Sequence, residues 1–175
     1  MNQLIRPAVP ADASAILAVY APYITDTVIT FETEVPTLGA FTKRVEEILR
    51  QYPYLVCEID GEIVGYAYAS RHRERAAYRY SVDVSIYVKS GMHRRGIGSA
   101  LYTRLLEELQ RFPYYTAYAC ITLPNESSVA LHKSFGFQEA GIFHKDGYKA
   151  GKWLDVLWME KPLKQYDVPP GGSEK

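Results

Sequence analysis

The sequence predicts a single mixed α/β domain with a mostly antiparallel central sheet flanked by helices. Three observations carry that reading. Asp60-Gly61 joins two apolar runs and is the strongest hairpin signal in the chain. A strand-like run, Tyr80 to Val88, leads through a glycine-rich basic loop, Met92 to Ala100, into a helical run. The elements read in order β-α-α-β-β-β-α-β-α-β-β, with no internal repeat. A length of 175 residues suits one domain with a real core.

Leu4 to Arg6 reads as a short first strand. Asp12 then caps a helix through about Tyr20, with Ile16, Leu17 and Tyr20 as its apolar side, and Pro22 ends it. Tyr23 to Pro36 is irregular and carries Phe31-Glu32-Thr33-Glu34. Thr37 to Tyr52 is a second helix facing inward with Phe41, Val45, Ile48 and Leu49. Tyr54 to Ile59 and Ile63 to Ala69 are the hairpin strands. Arg71 to Tyr80 is a loop dense in charge, and a charge run of this kind reads first as a solvated turn. Tyr80 to Val88 is the next strand, and Asp83 interrupts its apolar run. A carboxylate there is costly to bury unless it is paired or functional; otherwise it points to solvent at an alternate position.

Ala100 to Arg111 is helical, with Leu101, Leu105, Leu106 and Leu109 on one face. Pro113 breaks the chain before a strand at Tyr115 to Ile121. Leu123 to Ser128 is a turn that caps a helix from Ser127 to Phe135, ended by Gly136. Phe137 to Phe143 and Trp153 to Glu160 form the last strands, around a loop holding Gly147 and Gly151. The domain spans residues 1–163, and residues 164–175 read as a loose polar tail.

Lysine and arginine number 20, aspartate and glutamate 20, so the formal net charge is zero. Bulk attraction to nucleic acid or to a membrane surface is not indicated. No apolar run approaches the ~20 residues that span a bilayer, and the N-terminus lacks a signal pattern. Cys57 and Cys120 lie in apolar strand-like runs without metal-ligand spacing, and the four histidines show none either. The cysteines read as reduced core residues of a cytoplasmic protein, and no metal site is expected.

The loop Met92 to Ala100 has its own chemistry. At the start of a helix, backbone N–H groups lack partners and the dipole adds positive charge, so a phosphate can bind. Gly96 and Gly98 admit a ligand close to the main chain, and Arg94 and Arg95 add charge. There is no Gly-Lys-Ser/Thr ending and no three-glycine dinucleotide spacing. What remains is a short pyrophosphate cradle, or else a basic turn before an ordinary helix.

Taken together, these residues resemble the GNAT acyl-CoA N-acetyltransferases. His93-Arg94-Arg95-Gly96-Ile97-Gly98 is similar to the family's pyrophosphate loop. Asn125 to Phe137, with Leu131-His132 and Phe135-Gly136-Phe137, is similar to its second motif. The resemblance covers Ile5 to Leu163. A closer one lies within it. Phe31 to Glu34, Arg73-Glu74-Arg75, Ala77 to Asp83, Leu123-Pro124-Asn125 and Gly147-Tyr148-Lys149 resemble the phosphinothricin N-acetyltransferase group. That group includes enzymes acting on methionine sulfoximine and methionine sulfone.

The resemblance implies acetyl-CoA as co-substrate, a small-molecule amine acceptor and a homodimer. The main chain at Ile86, Tyr87 and Val88 would pair with the pantetheine arm like an added strand. Arg94, Arg95, Gly96, Ile97, Gly98 and Ser99 would hold the pyrophosphate, and Asn125 and Ser128 would touch the cofactor. Asp83 stands where the group usually has the presumed general base, a glutamate. His132 stands where wider relatives carry the tyrosine that protonates the leaving thiolate. Phe31, Arg73, Arg75 and Tyr78 match positions near the acceptor. The chain departs from the pattern at Asp83, one methylene short; at His93, for Gln or Arg; and at Arg71-His72, where relatives carry an apolar or Pro-Phe pair.

On this reading Asp83, through one or two waters, takes the proton of the acceptor amine. Its ordinary carboxylate pKa is low for a base unless burial raises it, and His132 is a rival. Paired guanidiniums at Arg73 and Arg75 would grip an amino-acid carboxylate. Two other readings stay open: a peptide, protein or polyamine N-acetyltransferase, and an acyl-CoA-binding sensor without catalysis.

Overall fold

The structure, a computed structural model, describes residues 3–166. Seven strands form one sheet: β1 (Gln3–Pro7), β2 (Tyr54–Ile59), β3 (Glu62–Arg71), β4 (Ser81–Val88), β5 (Thr116–Thr122), β6 (Gln138–Lys149) and β7 (Lys152–Pro162). Their order is β1-β2-β3-β4-β5-β7-β6. Every pairing is antiparallel except β4 with β5, which is parallel. That one pair needs a crossover, and the basic loop with helix α3 (Ile97–Leu109) supplies it.

Alternation along the strands splits the core into two layers. On one face Leu55, Ala67, Val82 and Ala117 pack against Leu101 and Leu105 of α3. Gly65 of β3 is what lets α3 lie so close: a Cβ there would meet Tyr87 O at 3.1 Å and Ile97 Cγ2 at 3.2 Å. On the other face Tyr54, Val56 and Tyr66 pack against α1 (Ala13–Asp26) and α2 (Leu38–Leu49). Stacked tyrosine rings join that layer, Tyr54 to Tyr68 at 4.8 Å and Tyr66 to Tyr87 at 5.3 Å.

The helices differ from the sequence reading at their ends. Pro22 does not stop α1, which runs on to Asp26. The missing proline N–H is outweighed because Ile24, two residues later, is buried at 1 % exposure. Asp12 precedes α1, but its carboxylate makes no cap; it holds Arg6 at 2.7 and 2.8 Å and the Val9 N–H at 2.8 Å. Thr37 does cap α2, accepting from Ala40 N. α3 begins at Ile97 rather than Ala100, so Ile97, Gly98 and Ser99 form its first turn.

Two further expectations change. Cys57 is buried, but Cys120 is exposed rather than in the core, and both thiols are free. Odd and even residues of β5 face opposite layers, and Cys120 falls on the face that α1 and α2 leave open. Of the segment read as a loose tail, residues 164–166 dock on the domain. Lys164 Nζ donates to Phe112 O at 2.5 Å, and Tyr166 shares a hydrogen bond with Thr116 Oγ1 at 2.9 Å. Residues 167–175 lie outside the described residues.

Candidate active site

The site begins where two parallel strands come apart. β4 and β5 pair only at Ser81–Thr116, Val82–Ala117 and Asp83–Tyr118. Beyond that rung β4 runs on to Val88 and β5 to Thr122. Among the described residues the outer edge of Ile86, Tyr87 and Val88 is therefore free of a neighbouring strand, while β3 holds their inner edge. An extended ligand can add to such an edge by main-chain hydrogen bonds. A cavity fills the fork, lined by Val84, Ile86, Cys120, Asn125, Ser128 and His132, among others.

The basic loop closes the far end of β4. Gly96 precedes α3 with φ 78°, a left-handed conformation natural to glycine, and Arg94 also has a positive φ, 61°. The first intrahelical bond comes from Ala100 N to Gly96 O at 2.9 Å, and no side chain caps the helix. The N–H groups of the first turn, Ile97 to Ser99, are thus left for an anion, with Arg94 and Arg95 alongside. Helix α4 (Glu126–Ser134) is different. Asn125 Oδ1 caps it, accepting from Ser128 N and Ser127 Oγ, both at 3.2 Å. Asn125 and Ser128 line the cavity while serving the fold. His93, the first residue of the loop motif, shares a 3.0 Å hydrogen bond with the Tyr23 hydroxyl, which also donates to Val88 O at 2.5 Å.

Asp83 stands at the root of the fork, on the last paired rung. Burial pushes its carboxyl above the usual range, and a hydrogen bond from His72 works against that. His72 Nδ1 lies 2.6 Å from Asp83 Oδ1. Asp83 faces Ser70 across the β3–β4 ladder, and His72, two residues on, projects on the same side. The charge run around Arg71 hid this partner; the period-2 spacing from Ser70 was the available signal.

His132 is buried across the cavity. Its Nδ1 lies 2.7 Å from Ser128 O, which can only accept, so Nδ1 carries the proton. Nε2 then accepts from the Tyr102 hydroxyl at 2.7 Å. Burial lowers the ring's pKa and keeps it neutral at neutral pH. Proton donation by His132 to a leaving thiolate would require a second proton at Nε2, where Tyr102 now donates. Tyr102, a second residue that the sequence did not point to, is itself fully buried in α3. Cys120 opens onto the same cavity. Its crowded walls, with Asp83 and Asp146 nearby, push its thiol up to about 11. A thiol so protonated is a weak nucleophile.

The residues matched to the acceptor by resemblance fall in two places, the turn after β3 and the segment against β6. Arg73 lies over the Tyr78 ring at 5.7 Å, and Tyr78 meets His72 edge-on at 5.9 Å. Arg75 stands exposed at the start of the 3-10 turn Ala76–Tyr78, where its carbonyl accepts from Tyr78 N. The turn brings Arg73, Tyr78 and His72 into contact, and Arg75 joins them through its main chain. Phe31 lies across Gly147 of β6, where a Cβ would come within 2.2 Å of the ring. Lys149, buried two residues on, donates to Thr30 O at 2.8 Å and anchors the Phe31 segment. The indole N–H of Trp158, edge-on to His72 at 5.9 Å, is buried without a protein partner among the described residues.

A sheet forked between its two parallel strands, with an uncapped helix N-terminus at the mouth of the fork, is the scaffold of an acyl-CoA-dependent acyltransferase. The chain belongs to the GNAT acetyltransferase family: the model of the acetyltransferase (GNAT) domain matches residues 5–158. It is 36 % identical over 166 residues to phosphinothricin N-acetyltransferase of Streptomyces viridochromogenes, covering 95 % of this chain and 90 % of that one. It is 32 % identical to L-methionine sulfoximine/L-methionine sulfone acetyltransferase of Salmonella typhimurium, with 94 % and 97 % covered. A crystal structure of a GNAT phosphinothricin acetyltransferase from Sinorhizobium meliloti in complex with AcCoA superposes with a TM-score of 0.93. The two are 34 % identical, with 98 % of this chain and 94 % of that one covered.

Proposed function

We propose that the protein is an acetyl-CoA-dependent N-acetyltransferase acting on a small amino-acid-like acceptor of the phosphinothricin, methionine sulfoximine or methionine sulfone type. The observation that carries this is the place of Asp83. Asp83 is on the last paired rung of the fork, and its carboxylate meets His72, whose ring touches the Tyr78 that Arg73 overlies.

Acetyl-CoA supplies an acetyl group activated as a thioester. The residues of this chain do the rest. The first-turn N–H groups of Ile97, Gly98 and Ser99, with Arg94 and Arg95, hold the pyrophosphate. The outer edge of Ile86 to Val88 takes the pantetheine arm, and its N–H groups stabilise negative charge on the acyl oxygen. Asn125 and Ser128 form the opposite wall. Asp83 removes the proton of the acceptor's ammonium group through water, a service worth roughly 10²–10⁴-fold. Its raised pKa makes it a better base than an ordinary carboxylate. As the amine nitrogen bonds to the acyl carbon, the carbon–sulfur bond breaks and CoA leaves as its thiolate. His132 and the Tyr102 hydroxyl bonded to it lie in the cavity wall. Arg73 presents a planar fork of donors to the acceptor's carboxylate, with Arg75 as a second cation at the rim. Phe31 and Tyr78 pack its side chain. Transfer is read as direct, and the raised pKa of the Cys120 thiol supports this by making it a weak rival nucleophile.

We also propose that the enzyme is a cytoplasmic homodimer. Ile142, Phe143, Tyr148 and Trp153 of the β6–β7 hairpin are exposed apolar side chains that a second copy would cover. The cytoplasm is a compartment that keeps free thiols such as Cys57 and Cys120 reduced.

The test is thiol release from acetyl-CoA against phosphinothricin, methionine sulfoximine, methionine sulfone, common amino acids, polyamines and a short peptide. Turnover on the first three is expected. Turnover on peptide or polyamine alone would discard the acceptor assignment and keep the transfer chemistry. No turnover despite acetyl-CoA binding would leave a sensor.

A further inference from the structure

We infer that His72 is a positioning residue of the reaction: it grips one oxygen of Asp83 and thereby presents the other to the water that relays the acceptor's proton. The inference rests on the reading of Asp83 as the base.

The geometry is specific. His72 Nδ1 and Asp83 Oδ1 are 2.6 Å apart, the separation of a charge-assisted hydrogen bond. A carboxylate only accepts, so the imidazole donates. The two side chains are unequally reached by solvent, 8 % for His72 and 27 % for Asp83. The histidine is therefore the more enclosed of the two, and the carboxylate is the partner that solvent reaches.

The ring is also locked. It stacks on Tyr118 at 4.4 Å and 17°. Tyr78 and Trp158 meet it edge-on, each at 5.9 Å. With its plane fixed by three aromatic neighbours, the Nδ1–H has one direction, and so has the carboxylate it holds. A base must be aimed within a fraction of an ångström at the proton it takes, and its support must be rigid. His72 comes just after β3, where the chain leaves the sheet, so the ladder that registers Ser70 with Asp83 also sets this contact.

The bond has a second effect. A buried carboxylate drifts toward its neutral form, and a base that starts protonated does nothing. The donation from His72 opposes that drift and keeps Asp83 ionised to lower pH. The other titratable groups around Asp83 are Arg73 of the turn, Tyr68 of β3, and Tyr118 and Cys120 of β5. Of these Arg73 is the cation, and it works in the same direction through space.

The experiment is a double-mutant cycle read as a function of pH. H72F keeps the aromatic packing and removes the donor; H72N restores a donor near the position of Nδ1. H72F is expected to lower kcat about tenfold or more, with the KM for acetyl-CoA little changed. Its acid limb moves to higher pH, because Asp83 loses the bond that kept it ionised. H72N recovers part of the rate. In a D83N background H72F costs nothing further, because the two act as one unit. The inference is overturned by full activity in H72F while D83N is impaired, by an equal loss in both backgrounds, or by an unmoved acid limb. Full activity in D83N would instead overturn the base itself. A melting curve for each variant accompanies the kinetics; if H72F unfolds, H72N and the limb carry the test.

Discussion

At the scale of single residues, the site combines groups that the sequence displayed with groups that it hid. Asp83 was visible because a carboxylate inside an apolar strand needs a reason. Asp83→Asn removes the proposed base while keeping an oxygen to accept from His72. We expect kcat to fall about 10²-fold or more, with the acetyl-CoA dissociation constant unchanged by calorimetry. Cys120 was misplaced because strand alternation does not say which face is covered; only the packing of α1 and α2 does. Its protonated thiol argues against an acetyl-cysteine step. Cys120→Ser should therefore keep most of the turnover, and a loss like that of Asp83→Asn would mean that the sulfur carries the acetyl group. The roles of His72, Tyr102 and Lys149 escaped the reading for a common reason. Each is defined by a partner far along the chain: Asp83, His132 and Thr30 respectively.

At the scale of elements, hydrophobic period and turn chemistry were enough to find all seven strands and four helices, while their ends depended on tertiary burial. α1 passes Pro22 because Ile24 is in the core, and β6 extends to Lys149 because β7 offers a partner along its length. The first turn of α3 was read as loop because glycine and serine are poor helix interior residues. As N-terminal residues they leave room and N–H groups for an anion. Gly96→Ala places a side chain at φ 78°, which costs roughly 1–2 kcal/mol of strain. The expected result is a raised KM for acetyl-CoA with the acceptor KM nearly constant. A rise in the acceptor KM alone would remove this loop from cofactor binding. β6 and the Phe31 segment, proposed to meet the acceptor, form one unit. Gly147→Ala would drive a methyl group into the Phe31 ring. We expect the opposite pattern there, a weaker acceptor KM with acetyl-CoA binding intact.

At the scale of the whole molecule, pH sets the acidic groups against one another. Asp12, held by Arg6, has a lowered pKa, as does Glu32, held by Arg44 and the Tyr20 hydroxyl. A lowered folded pKa means stability that is present above the unfolded value and lost as pH falls through the folded one. Asp83 has the opposite sign. Its pKa is raised on folding, so between the unfolded and folded values the folded state binds more protons and stability falls as pH rises. At neutral pH the enzyme carries an ionised carboxylate that burial disfavours, a cost of the kind that active sites sustain. Asp83→Asn removes that cost and keeps the contact with His72. The variant should melt above the parent at neutral pH even as its turnover collapses. The gap should close as the pH is lowered, because the parent's Asp83 then takes up its proton, while the Asp12 and Glu32 pairs weaken equally in both proteins. Thermal melts of the two proteins across the acid range would show this converging pair of curves. A gap independent of pH would mean that the carboxylate's charge is not what the fold strains against.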